Sequence, residues 1–540
     1  MANEQNYSYE DIKIVVNGNE VYNKGYDLIE FKLFSEVNHH TRLSLKTKVK
    51  KEYANEWDIF SKTSRANAVP GERELSFFLG ERKYFSGIIQ EGTSFIRDDG
   101  DLVMELIVYS KSEMMDRDIN FRVYQNPKIK YIDIVKSIIN KYEYITAIGI
   151  NKETYSEDSG INERLSLLMK SNLIIQYKET DWEFLIRIMS HIGIGVFNTE
   201  NGSISLGISK DISVNKQWNV VTGNIGRGID KYDNIYHKLE SQDFFLLGDN
   251  IIQQDKRDMG YVNKCEIECI DGKFYGKYFL RQSDYWFDYI SNSKIMGAKI
   301  DCKVVSVPLI DKKEGIAILA VSFFDGINKL IKNKEKNRSR TGNTPTKINN
   351  YGDWVSYKGE DGYFYFPYST FYSKTNTGYF CTPEVSDIVP VVFESDEECE
   401  GFVGFSIDNP MSGRFSNPYY RNYTTHPEGG SEDYCYEFSV SRDNLSVKCK
   451  NTFSETVENK IIDAKNSINI NSNNTIGIEN KNTMTMKTKT YDVNVVSEYI
   501  ENVTGEKNCS LGSLKEQVST AKEINCQLYD LTAGVYKTNK

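Results

Sequence analysis

The strongest constraint on how this chain can fold lies near its C-terminal end. Ile468 with Ile470, Ile476 with Ile478 and Met484 with Met486 are apolar i, i+2 pairs that return every eight residues, separated mostly by Asn, Ser, Thr and Lys. Val493 with Val495 continues the series after a one-residue slip. An i, i+2 pair is one face of a short strand, and a fixed return means that equivalent strands stack. Two inward apolar side chains per pass are too few for one chain to enclose a core, and such a chain leaves its strand edges unpaired. Three chains wound about one axis meet both demands, each covering its neighbours. The pattern predicts an obligate homotrimer with an intertwined β-helical spike over residues 456–540, its core made by the eight residues named. A polar tail with chance alternation is the competing reading.

Upstream, the chain alternates between strand and helix signals. Short β-rich segments are divided by Asn17-Gly18, Asp99-Gly100 and Asp271-Gly272, each a hairpin turn signal between apolar runs. In "NPKIKYIDIVKSIINKY", Ile132, Val135, Ile138 and Ile139 share one helical face, with Pro127 just outside the start. In "QYKETDWEFLIRIMSHIGIGVF", Thr180 and Glu183 have capping-box spacing. Phe184, Leu185, Ile188 and Ile192 recur at helical intervals, and Gly193 supplies the stop. Helices inserted among strands make residues 1–328 an α+β block of barrel material.

Residues 329–347 read as a basic, solvated linker: from Asn328 to Lys347 there are seven Lys or Arg against one Glu. Residues 348–412, with "GYFYFPYS" and "DIVPVVFESDEECEGFVGFSI", fit a small barrel such as an OB-fold. Residues 413–455 hold a neck hairpin, in which Tyr434, Tyr436, Phe438 and Val440 face Leu445, Val447 and Cys449 across Arg442-Asp443-Asn444. The alternation sets one face of this hairpin against something apolar, with Cys449 read as a buried, reduced thiol.

Composition narrows the function classes. With 540 residues, several cores are expected, at roughly 100–200 residues each. A net charge of -10 makes nucleic acid a poor partner, and the barrel segment itself carries eleven Asp or Glu against two Lys. The nine cysteines form no CxxC pair, so neither zinc nor a disulfide framework is indicated. The run "MANEQNYSYEDIKIVVNG" has neither a basic leader nor an apolar core, so no secretory signal is expected. Catalytic residues, metal ligands and cofactor-binding residues are all expected to be absent. The five histidines make no HExxH and no nucleophile pairing, and no phosphate loop appears. No histidine follows His426, so a metal-bound tip would have to come from another polypeptide.

At this point the chain resembles a known family, the VgrG-type spike proteins of type VI secretion and the related hub and spike proteins of contractile phage tails and injection systems. "VYQNPKIKYIDIVKSIINKY" resembles the family's strand leading into a short amphipathic helix. The Gln-Tyr and the helix start Thr180, Asp181, Trp182, Glu183 and Phe184 resemble its most recognisable motif. "GYFYFPYS" resembles the OB-fold strand ending in Phe-Pro. The stretch after Thr382 resembles the next strand, with Glu384 for the usual Arg, Ser386 for Gly and Ile388 for Glu. The likeness covers roughly Tyr9 to Asn508.

It implies a mainly β chain: an α+β hub block of two tube-like β-barrels with inserted helices, an OB-fold barrel and a trimeric spike. It also implies a structural, non-enzymatic hub that adapts a hexameric tube to a threefold, membrane-puncturing needle and helps deliver effectors. The implied partners are two further copies of the chain, the tube protein, baseplate wedge proteins, a small tip-capping protein and effector cargo. The chain would be assembled in the bacterial cytoplasm and expelled by contraction. The alternatives are a phage hub with peptidoglycan hydrolase activity and a β-helical surface adhesin.

Overall fold

The computed structural model describes residues 11–530 and a few beyond, apart from several runs, the longest being 55–72, 149–159, 308–317, 324–354, 407–420 and 426–435. The chain divides into two units, residues 1–451 and 452–540. The basic linker assigned to 329–347 lies outside the described residues, as do Asn17, Gly18 and Pro127.

In the first unit the backbone is mainly β, as expected. A 13-stranded sheet is formed by two groups of strands, from Ile12–Val16 through Leu102–Ser110 and from Asn215–Trp218 through Lys273–Arg281. Antiparallel pairing of Tyr26–Glu36 with Asp258–Ile270, with Cys265 opposite Ser35, joins the two groups without a break. Strict alternation drives the local structure: in Ile12–Val16 every second side chain is buried. The sheet curls so that its two groups share one core. Phe31 contacts Phe274 at 5.5 Å between ring centroids, and Phe77 and Tyr84 contact Phe244 at 6.0 and 4.7 Å. Hairpins turn where glycine relieves a positive φ, at Gly100 (φ 85°) and Gly272 (φ 75°).

Among the described residues three α-helices are inserted: α1 (Tyr131–Ile139), α2 (Ile161–Leu165) and α3 (Asp181–Ser190). Ile134, Val135, Ile138 and Ile139 of α1 and Phe184, Leu185 and Ile188 of α3 meet in a second core.

A third core fills a small five-stranded sheet. Its strand order is Phe364–Pro367, Ile318–Ser322, Lys299–Ser306, Ile388–Phe393 and Gly401–Val403. Tyr368 bridges to Val403, and the Ser369 N–H bonds the Val403 carbonyl at 2.8 Å, bringing the two end strands together into a nearly closed barrel. The boundaries drawn from sequence at 328 and 348 therefore do not follow the sheets. Lys299–Ser306 alternates as the strands of the first sheet do, Ile318–Ser322 is a short apolar run buried along most of its length, and nothing local marks the sheet in which either will pair.

The neck hairpin has the predicted register, Tyr436 opposite Cys449, Phe438 opposite Val447 and Val440 opposite Leu445, and Arg421–Thr425 adds a third strand. Its faces differ from expectation. Glu437 and Ser439 are buried, while Phe438, Leu445, Val447 and Cys449 are exposed. The apolar face, with Cys449 on it, is exposed in the single chain, whereas Glu437 and Ser439 on the opposite face are buried.

Candidate functional site

Two regions hold the residues singled out from the sequence, the motif around α3 and the second unit. Around α3 each motif side chain has a definable task. Thr180 Oγ1 accepts from the Glu183 N–H at 3.1 Å, and Glu183 Oε2 accepts from the Thr180 N–H at 2.9 Å, which completes the capping box. Glu183 also receives a bond from Lys294 Nζ at 2.6 Å. Trp182 packs against His40 with ring centroids 4.4 Å apart and the rings tilted by 34°, and Phe184 stacks on Tyr124 at 5.9 Å. Gly193, at φ 65°, follows the helix end.

Asp181 is fully buried and gathers the preceding elements. Arg122 grips both of its oxygens, Gln176 donates to Oδ1 at 3.0 Å, and the Tyr142 hydroxyl donates to Oδ2 at 2.7 Å. Burial alone would raise the Asp181 pKa, but these donors hold it below the ordinary carboxylate value. The Gln176 amide reaches Asp181 because Lys178, at φ 53°, forms a bulge in its strand.

Arg187, on the same helix, was not predicted. Only 2% exposed, it donates to both oxygens of Glu179 at 2.7 and 2.8 Å, to Glu398 at 3.0 Å and to the Ile175 carbonyl at 2.8 Å. Glu398 lies in the turn between two strands of the small barrel and also accepts from Asn292 at 3.0 Å. Burial pushes the Glu179 pKa up, with Arg187 pulling in the opposite direction. Arg187 on α3 thus joins the helical layer to the barrel through a buried ion cluster.

Ser112, His40 and Asp116 form a chain of contacts that sequence spacing did not reveal, with Ser112 Oγ 2.8 Å from His40 Nδ1 and Asp116 3.4 Å from Nε2. Ser112 is fully buried and also bonds Ser110, so this serine presents no open face to a substrate. Among the described residues no group of three His, Cys, Asp or Glu is placed to hold a metal ion, and no helix is long and apolar enough to cross a membrane.

In the second unit none of the described residues is helical or paired as a strand, and all are exposed. Ile468, Ile470, Ile476, Ile478, Met484, Met486, Val493 and Val495 are each 44–71% exposed. The backbone bends at 465, 473, 481, 489, 496, 504, 512, 519 and 527, at intervals of seven or eight residues. In each run between bends, the residues five, three and one positions before the next bend include at least two apolar side chains. The stripe therefore carries on through Tyr499 and Val503, Cys509 and Leu511, Leu514 and Val518, and Ile524 and Cys526. The slip before Val493 is a seven-residue interval, which puts Tyr491 on the same face.

Residues 66–218 match the family described as phage tail baseplate hub (GPD). That segment, which includes the α3 motif, is thus similar to phage tail baseplate hub proteins. The resemblance to VgrG-type hub and spike proteins of phage tails and type VI secretion is borne out there. No curated protein sequence matches the chain. Among solved structures, the chain is similar to an Escherichia coli component of the type VI secretion system described as structurally similar to the T4 bacteriophage tail proteins gp27 and gp5. Identity is 12% and the TM-score 0.45, over 73% of this chain and 100% of that one. It is also similar to a Francisella PdpA-VgrG complex chain, at 10% identity and TM-score 0.45, over 82% and 85% of the two chains. A tail protein from Neisseria meningitidis matches at 9% identity and TM-score 0.35, over 51% and 97%.

Proposed function

We propose that this chain is the homotrimeric hub and spike of a contractile injection machine, adapting a hexameric tube to a threefold needle that punctures a target membrane and helps deliver effectors. The observation that carries the reading is the apolar stripe of the second unit, which returns every seven or eight residues and is exposed in the single chain. Burying an exposed Ile, Met or Val side chain contributes about 1.5–3 kcal/mol at most, so two such residues per pass over successive passes supply a large drive to associate. Identical copies provide a matching stripe and the missing strand edges together. The uncovered apolar face of the neck fits the same arrangement.

Tube, wedge and tip-capping proteins and effector cargo are the partners this role calls for. The chain would assemble in the bacterial cytoplasm and leave it by contraction. The test is the mass and symmetry of the purified full chain. A threefold particle with a wide head and a thin needle is expected, and a monodisperse, folded monomer at micromolar concentration refutes the proposal.

A further inference from the structure

The last part of the stripe carries charges in a pattern of its own. "YIENVTGEKNCSL" (499–511) and "LKEQVSTAKEINC" (514–526) align at an offset of fifteen residues, two passes, with Glu501 over Glu516, Val503 over Val518 and Lys507 over Lys522. All four charged residues occupy the parity that carries the apolar stripe, not the polar parity between. The structure pairs them across successive bends: Lys507 Nζ lies 2.6 Å from Glu501 Oε2, and Lys522 pairs with Glu516 in the same manner. Successive passes thus present Glu, Lys, Glu and Lys, whereas the passes from Ile468 to Val495 present no charge at these positions.

This difference in period matters because an apolar stripe is poorly specified along its own axis. Sliding one chain past another by one pass exchanges Ile for Met or Val and leaves apolar groups in contact. The charges have twice that period. If one alignment brings opposite charges together between chains, a one-pass slip brings like charges together, and sliding two passes further apart leaves most of the charges against uncharged passes. A few polar groups on an apolar seam fix register in this way at some cost in stability.

We propose that Glu501–Lys507 and Glu516–Lys522 form two tiers of ion pairs within the three-chain spike that fix which pass of one chain lies beside which pass of the next. The inference rests on the trimeric reading above and deepens it by assigning the register-setting residues.

The test uses the full chain and four variants: Glu501→Lys, Lys507→Glu, the double exchange Glu501→Lys/Lys507→Glu, and a neutral form with Glu501→Gln, Lys507→Met, Glu516→Gln and Lys522→Met. Two readouts are taken, the lifetime of the trimer in SDS and short-bismaleimide cross-linking between chains through Cys509 and Cys526, mapped by mass spectrometry. Each single reversal should shorten the lifetime at least about tenfold, since it sets like charges together in three copies, and the double exchange should restore most of it. The neutral form should remain trimeric and acquire Cys509–Cys526 links between chains that the parent lacks. A trimeric parent whose reversals and neutral form keep its lifetime and cross-links overturns the register role alone. A monomeric parent overturns the trimer and this role together.

Discussion

Replacing Arg187 with Met tests whether the α3 motif fastens the hub to the barrel. The substitution keeps much of the side-chain volume but leaves Glu179 and Glu398, 5% and 3% exposed, with no guanidinium between them. Four hydrogen bonds of 2.7–3.0 Å are lost at once. Removing one partner from a buried ion cluster costs about 3–5 kcal/mol, because the remaining charges stay desolvated. Hydrogen exchange of the α3 amides reads this locally, even where separate parts of the chain melt independently. The sign with pH is fixed by burial, which raises the Glu179 pKa in the folded state. A carboxyl with a raised folded pKa holds a proton that the unfolded chain has released, so its contribution falls as pH rises from the ordinary carboxylate range through the raised value. Without Arg187 that value climbs further, and the loss in the variant should be largest near pH 7.5 and partly relieved near pH 5. A variant whose α3 protection lies within about 1 kcal/mol of the parent at pH 7.5, below the penalty for an uncompensated buried charge, refutes the fastening role.

Three further outcomes are expected. Thr180→Ala removes the acceptor for the Glu183 N–H and should cost about 1 kcal/mol in α3 stability by the same measurement, with Thr180→Ser close to the parent. Ile478→Asp puts an unpaired charge on the stripe in every copy and should shift the chain from trimer toward monomer in sedimentation, with far-UV circular dichroism losing the β signal of the spike and keeping that of the first unit, since residues 452–530 contain no regular secondary structure in the single chain. Asp249 is buried with its Oδ1 atom unpaired, and burial pushes its pKa up to about 6. The parent should therefore lose about 2 kcal/mol as pH rises from 4 to 6, and chemical denaturation of Asp249→Asn should show that slope removed.

What the sequence disclosed was whatever depends on neighbours a few residues apart. The capping box of Thr180 and Glu183, the stop at Gly193 and the turns at Gly100 and Gly272 are local, and each was legible. Arg187 was hidden because its partner Glu398 lies 211 positions away, although an arginine between Phe184, Leu185 and Ile188 on an otherwise apolar helix face was a usable signal. The sheet membership of Lys299–Ser306 was hidden for the same reason, since this strand alternates as those of the first sheet do and only long-range pairing tells them apart. The tail gives the converse case. Its first passes were plain because Ile and Met pairs stand alone among polar residues, and its later passes were obscured by Glu501, Lys507, Glu516 and Lys522, which interrupt the apolar count. The backbone bends recover the period that those charges conceal. The same side chains that defeat a hydrophobicity pattern therefore distinguish one pass from another, which a uniform stripe of Ile, Met and Val lacks the means to do.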